Sequence, residues 1–277
     1  MAAVLLALAA SASWGVSDFL GGLKTRSLNV LTVLAVSQPA GLALLAVVVL
    51  GRWTVPGGGL WILWAMLAGV GAAIGIGALY RGLAVGSMGI VAPITATAPL
   101  IPLTVALARG ERPSTVQLAG IGVALVGVAL AGWEPGAEGA RGRAATGAGL
   151  ALIAAVFFGS SQVGLEAAAN VDPYWATLLL RIVSSAAVLS LLPWKRPPGP
   201  GTAWSILVVL GLLDSTATIM FAVATTKGLF SVVSVLGSLY PVGVAILARV
   251  VLGERLTPLQ RGGAVAAVCG AAAISAG

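Results

Sequence analysis

Three charged side chains, Asp18, Arg181 and Asp214, stand within apolar runs long enough to cross a bilayer. A charge at the centre of a spanning helix costs about 2.5 to 3.5 kcal/mol, so it faces a protein interior or a water-filled cavity and not acyl chains. Arg181 lies 11 residues before the end of its run at Leu192, and Asp214 lies 11 residues after the start of the next at Ala203. At 1.5 Å per residue both sit about 16 Å from the same hairpin end, which sets two opposite charges at one depth. Two roles are open for them: an ion pair that neutralises itself, or contacts to an ionic substrate or a coupling proton. Asp18 follows Trp14 by one helical turn and is a candidate site for a substrate amine or a proton, with Ser17, Ser161 and Gln162 as neutral hydrogen-bonding groups.

Other chemistry is sparse. The chain has no histidine and one cysteine, Cys269, inside its last apolar run, so neither a disulfide, a metal cluster nor a Cys/His pair can be assembled. No metal or other cofactor is expected. The eight acidic residues are scattered, without the DDxxD-like grouping of enzymes that act on membrane lipids, and no GxxxxGK[ST] phosphate loop occurs. Catalysis is therefore not expected, and ATP drive would require a separate subunit.

The elements that must position these groups follow from composition. At 59% hydrophobic and 8% charged, with a mean hydropathy of +1.06, the 277 residues cannot hide their apolar groups in one water-soluble core. Ten spans are expected, roughly at 2–22, 29–50, 59–80, 87–108, 114–132, 145–167, 173–192, 203–225, 228–251 and 258–276. The runs are continuous, not short and alternating, which disfavours a β-barrel. The net charge of +7 does not point to nucleic acid, because the 15 basic residues fall mainly in the breaks between runs, where membrane proteins carry them. The first run lacks the basic start of a secretion signal and stays apolar beyond its A-x-A-like stretch, so it is expected to be the first span.

The two halves resemble one another. LARGERPSTVQLAG near the end of the fourth run matches VVLGERLTPLQRGG near the end of the ninth, with Gly110, Glu111, Arg112 and Gln117 each 143 residues before Gly253, Glu254, Arg255 and Gln260. Pro99 matches Pro241 and Gly69 matches Gly211 at 142, while Trp14-Gly15 matches Phe158-Gly159 at 144. The longest polar break, EPGAEGARGRAATG, separates the halves, so the expected organisation is a five-helix repeat at 1–133, a linker at 134–144 and a second five-helix repeat at 145–277. Five spans enter on one side and leave on the other, so the second copy runs inverted. These motifs, with the Trp-Gly of the first run and the prolines of the fourth and ninth, resemble the EamA-type branch of the drug/metabolite transporter superfamily over essentially the whole chain. The resemblance implies an all-α polytopic membrane protein of ten transmembrane helices. It also implies export of amino acids, related metabolites or drugs by alternating access.

On the repeat, Arg181 and Asp214 correspond to positions near Ser37 and Ala72, so the pair belongs to one half only, whereas Asp18 corresponds to Gln162. Pro93, Pro99, Pro102 and Pro241 remove backbone donors and mark helix breaks that line a cavity or act as hinges. Tyr80, Tyr240 and Trp14 are further candidates for substrate contact, against the alternative of packing or interfacial anchoring. Trp53, Trp61, Trp64, Trp133, Trp194 and Trp204 fit an aromatic belt. The glycines of 69–77 and 119–127 suit close helix packing, and the fifth and tenth spans suit scaffold or homodimer contact. Glu111 and Glu254 are candidates to cap or lock helix ends.

Sidedness is left open: ten basic residues flank the odd-numbered spans and four the even-numbered, which puts both termini outside, whereas the resemblance implies both inside. The expected function is a secondary transporter of the cell membrane whose partners are the bilayer, a small solute and, as one option for coupling, a proton. The alternatives are a carrier or flippase for lipid-linked or nucleotide-linked sugars and a membrane-embedded enzyme.

Overall fold

A computed structural model describes residues 1–85, 91, 94–131, 141–252 and 257–276, the side chains of 141–145, 245, 248 and 252 excepted. Among them every regular element is a helix. α1 spans Ala2–Thr25, α2 Val30–Leu50, α3 Leu60–Val85, α4 Leu100–Ala108, α5 Thr115–Ala131 and α6 Arg141–Ala169. There follow α7 at Pro173–Leu189, α8 at Leu192–Lys195, α9 at Trp204–Thr225, α10 at Phe230–Gly237, α11 at Tyr240–Leu252 and α12 at Pro258–Ala276. Eight segments are long and apolar enough to cross a membrane, and α5 is a shorter apolar helix. Their outward side chains are apolar, with Leu5, Leu63, Val126, Val250 and Val265 all exposed, the reverse of a water-soluble surface.

Helix starts are written locally. Ser114 and Gln117 form a capping box at α5, in which the Gln117 N–H donates to Ser114 Oγ at 3.1 Å and the Ser114 N–H to Gln117 Oε1 at 2.9 Å. Thr257 and Gln260 repeat it at α12, at 3.2 and 2.9 Å. The glutamine that recurs in both halves is thus a device for starting the last helix of each. Asp172 caps α7 by accepting from the Tyr174 and Trp175 backbone N–H groups, with Pro173 at the first helical position, where its missing donor costs nothing.

Two expected spans are interrupted. In the fourth, residues 96–99 form a turn before α4; in the ninth, Ser238 and Leu239 separate α10 from α11. Each break falls just before or at a proline, Pro99 and Pro241, because proline is tolerated in the first turn of a new helix and not inside one. Pro93, Gly253, Glu254, Arg255 and Trp133 lie outside the described residues, as do 134–140 of the expected linker. Residues 141–144 belong to α6. Trp61 departs from the expected belt: it is buried, and its Nε1 donates to the Gly57 carbonyl at 2.8 Å.

Packing repeats between the halves. α3 packs on α6 and α7, and α9 packs correspondingly on α1 and α2. A Cβ on Gly69 would fall 2.6 Å from the Leu180 carbonyl oxygen, and one on Gly211 would fall 2.0 Å from that of Ser37, so both crossings demand glycine. Gly120 faces Gly270 and Gly127 faces Gly263 in the same way, and this pairing requires α5 and α12 to run antiparallel.

Candidate functional site

Midway along the bundle, α1, α2, α3, α6, α7 and α9 and both broken segments line a partly open cavity. Trp14, Asp18, Gln162, Arg181, Asp214 and Tyr240 all line it, as does Pro99 at the fourth-span break. Residues as distant in sequence as 14 and 240 therefore share one chamber. Tyr80 is placed differently: its ring is buried in the core, with the phenol against Gly21 of α1, and it is not part of the described lining.

Arg181 and Asp214 pair across the α7–α9 hairpin, Nη2 to Oδ2 at 2.5 Å, as their matched depths require. The Arg181 Nη1 donates to Gln38 Oε1 at 2.9 Å, and Ser184 Oγ donates to the same oxygen at 3.2 Å. The guanidinium of α7 is thus held from two other helices, α2 and α9, and is 5% exposed, whereas the Asp214 side chain is 28% exposed. Nε of Arg181 and Oε1 of Gln162 are buried without a hydrogen-bond partner among the described residues. Asp18 is half-buried and has no hydrogen-bond or ion-pair partner among the described residues. Trp14 lies one turn before it and packs on Phe221 with ring centroids 5.5 Å apart. Ser161 Oγ is spent on the Ala68 carbonyl at 2.7 Å, so it braces α6 against α3.

At one end of the bundle, polar and charged groups bridge neighbouring helices. Arg52 bonds Asp172 at 3.0 Å and lies 3.9 Å over the Tyr174 ring, joining the α2–α3 loop to α7. Burial pulls the Asp172 carboxyl up, but the Arg52 guanidinium and the Trp175 and Tyr174 backbone N–H groups outweigh it and hold it below the usual carboxylate range. Arg109 pairs with Glu166 at 2.7 Å, and Glu166 also accepts from Asn170 at 3.1 Å. Glu111, from the recurrent GER motif of the first half, caps α10 in the second. It accepts from the Phe230 and Ser231 backbone N–H groups at 2.9 and 3.0 Å and from Ser231 Oγ at 2.7 Å. Every residue of α10 is buried, and Phe230 and Val233 belong to a core cluster that includes Ala3, Ala7 and Ala224.

Sequence reasoning missed Gln38, although a glutamine in an apolar run is the same signal that singled out Asp18. Pro39 beside it also removes a backbone donor inside α2. Arg52, Asp172, Arg109 and Glu166 carried no pairing signal, since each partner is set by tertiary proximity.

Helices with an apolar outer surface around a central cavity that bears charged side chains define a polytopic membrane protein of transporter architecture. The EamA-like transporter family matches residues 1–133 and 145–276, and the chain belongs to that family. A solved crystal structure aligns with 99% of this chain and 98% of its own at a TM-score of 0.84 and 19% identity, a likeness of fold. The comparison with curated protein sequences gives no match.

Proposed function

We propose that the protein is a secondary carrier of the cell membrane that exports small polar metabolites or drugs by alternating access, without catalysis of its own. In this reading ten spans form two inverted five-helix units, at 1–133 and 145–277 with a linker at 134–144, and the solute binds where the units meet. The antiparallel α5–α12 contact and the exchanged packing of α3 and α9 support the inversion. The observation that carries the function is a chamber inside the bundle that bears Asp18, Arg181 and Asp214, with Arg52–Asp172, Arg109–Glu166 and the Glu111 cap bridging helices at one end. In this reading those ties seal that end, which gives one of the two states an alternating-access cycle needs. Solute exit to the sealed side requires those contacts to open while the other end closes. Trp14, Asp18, Gln162, Arg181, Asp214 and Tyr240 are assigned to the solute, Tyr80 to the wall behind it, and Pro93, Pro99 and Pro241 to the moving breaks.

Counterflow into liposomes reconstituted with the purified protein tests this. Internal unlabelled solute should drive uptake of the same labelled solute for at least one member of a panel of amines, amino acids and drugs. A panel that gives no counterflow beyond protein-free vesicles overturns the carrier reading.

A further inference from the structure

Resting on that carrier reading, we infer that the cavity selects solutes with a single positive charge beside an apolar, ring-sized body, and discriminates against the zwitterion and the anion built on the same skeleton. Asp18 is the group that reads the charge.

The charge balance of the wall carries the inference. The charged residues lining the described cavity are Asp18, Arg181 and Asp214. The sequence from Gly82 to Ala108 contains no charged residue, so the part of the fourth span outside the described residues cannot alter the count. With Arg181 paired to Asp214, one carboxylate, Asp18, is left without a countercharge on the wall. Arg181 is already matched in charge: it is 5% exposed, its Nη2 pairs with Asp214 and its Nη1 donates to Gln38. A solute carboxylate approaching Arg181 would have to compete with Asp214, whose own negative charge repels it. Asp18 is the complement: a carboxylate on the wall whose partner must come from the occupant. Its counterpart in the other half is the neutral Gln162, so the second repeat supplies no balancing charge.

The walls define the rest of the solute. Trp14 and Asp18 are four residues apart on α1 and project to the same side of the helix, and both line the chamber. A cation between them gains the carboxylate on one side and the indole face on the other. Phe158, Phe221 and Tyr240 complete a largely apolar lining, which suits an aromatic ring beside the charged group.

The test compares three probes of one carbon skeleton, 2-phenylethylamine, phenylalanine and 3-phenylpropionate, by calorimetric titration of the full-length protein in nanodiscs. The amine should bind at least about tenfold more tightly than either other probe. Asp18→Asn should abolish that preference, and Asp18→Glu should retain it. Thermal unfolding and elution profile of each variant report whether it is folded. Tighter binding of phenylalanine or 3-phenylpropionate, absence of amine binding, or a folded Asp18→Asn protein that keeps the preference overturns the inference. The carrier reading stands or falls separately, on whether any solute of the counterflow panel exchanges.

Discussion

Removing either member of the Arg181–Asp214 pair should destabilise the protein, and the two losses should be unequal. Breaking a buried pair by deleting one partner costs about 3 to 5 kcal/mol, because the survivor is left charged in a poorly solvated place. Asp214 is 28% exposed and opens on the cavity, so in Arg181→Met it can recruit water, and the cost falls near about 3 kcal/mol. Arg181 is 5% exposed with its Nη1 fixed to Gln38, so in Asp214→Leu the cation stays dry and the cost approaches about 5 kcal/mol. The double variant removes both charges and should return to within about 1 kcal/mol of the parent, since apolar replacement of a buried pair is close to neutral. Equilibrium unfolding in mixed detergent micelles, titrated with a denaturing detergent, measures all three. Single variants within about 0.5 kcal/mol of the parent, or costs that simply add in the double variant, refute the pair as placed. The double variant retains Asp18 and the net charge of the cavity, so its preference for an amine should survive.

Other perturbations have definite expected outcomes. Glu111→Ala deletes three hydrogen bonds at the start of α10 and should weaken that cap by about 1 kcal/mol, raising the labelling rate of a cysteine placed at Val233; an unchanged rate speaks against a closure at this end. Gly127→Val should lower the thermal midpoint sharply, because a Cβ there meets the Ala267 nitrogen at 2.3 Å, while Gly122→Val, with open space around it, should not; equal effects contradict the α5–α12 packing. Asp172 has its carboxyl held below the ordinary value, so its bond to Arg52 stabilises the folded chain above the unfolded-state value and is lost as pH falls through the folded one. The thermal midpoint should therefore drop on acidification in the parent and drop less in Asp172→Asn.

Much of the site was legible because membrane burial makes polar residues conspicuous. Counting residues from the 192–203 hairpin placed Arg181 and Asp214 at one depth, and they meet there. The 144-residue correspondence put Asp18 and Gln162 on helices that both line the cavity. The recurrence of Gln117 and Gln260 was visible as a repeat but not as two capping boxes, although Ser114 and Thr257 at the matching spacing carried that signal. Helix ends were less legible: α1 continues to Thr25 and α3 to Val85, past the expected 22 and 80, since no proline stops them and the ends of spans need not be apolar. The prolines were expected to mark helix breaks, and Pro99 and Pro241 each stand at the start of a new helix after a turn, whereas Pro102 lies within α4. Tyr80 and Trp61 looked like surface or cavity groups because aromatic residues near span ends suit an interface equally well, and only the packing of α1 on α3 and the Gly57 carbonyl bury them.

The account depends on a wet chamber between the halves, closed at the Arg52–Asp172 end. Replacing Thr218, which lines the cavity, by cysteine in a Cys269→Ala background gives a single reporter at its wall. A charged, impermeant thiol reagent should label it faster from the side that bears the 190–203 loop, and a carried solute should slow the reaction. No labelling from either side, at a rate no higher than that of a cysteine at the core position Ala217, contradicts the account.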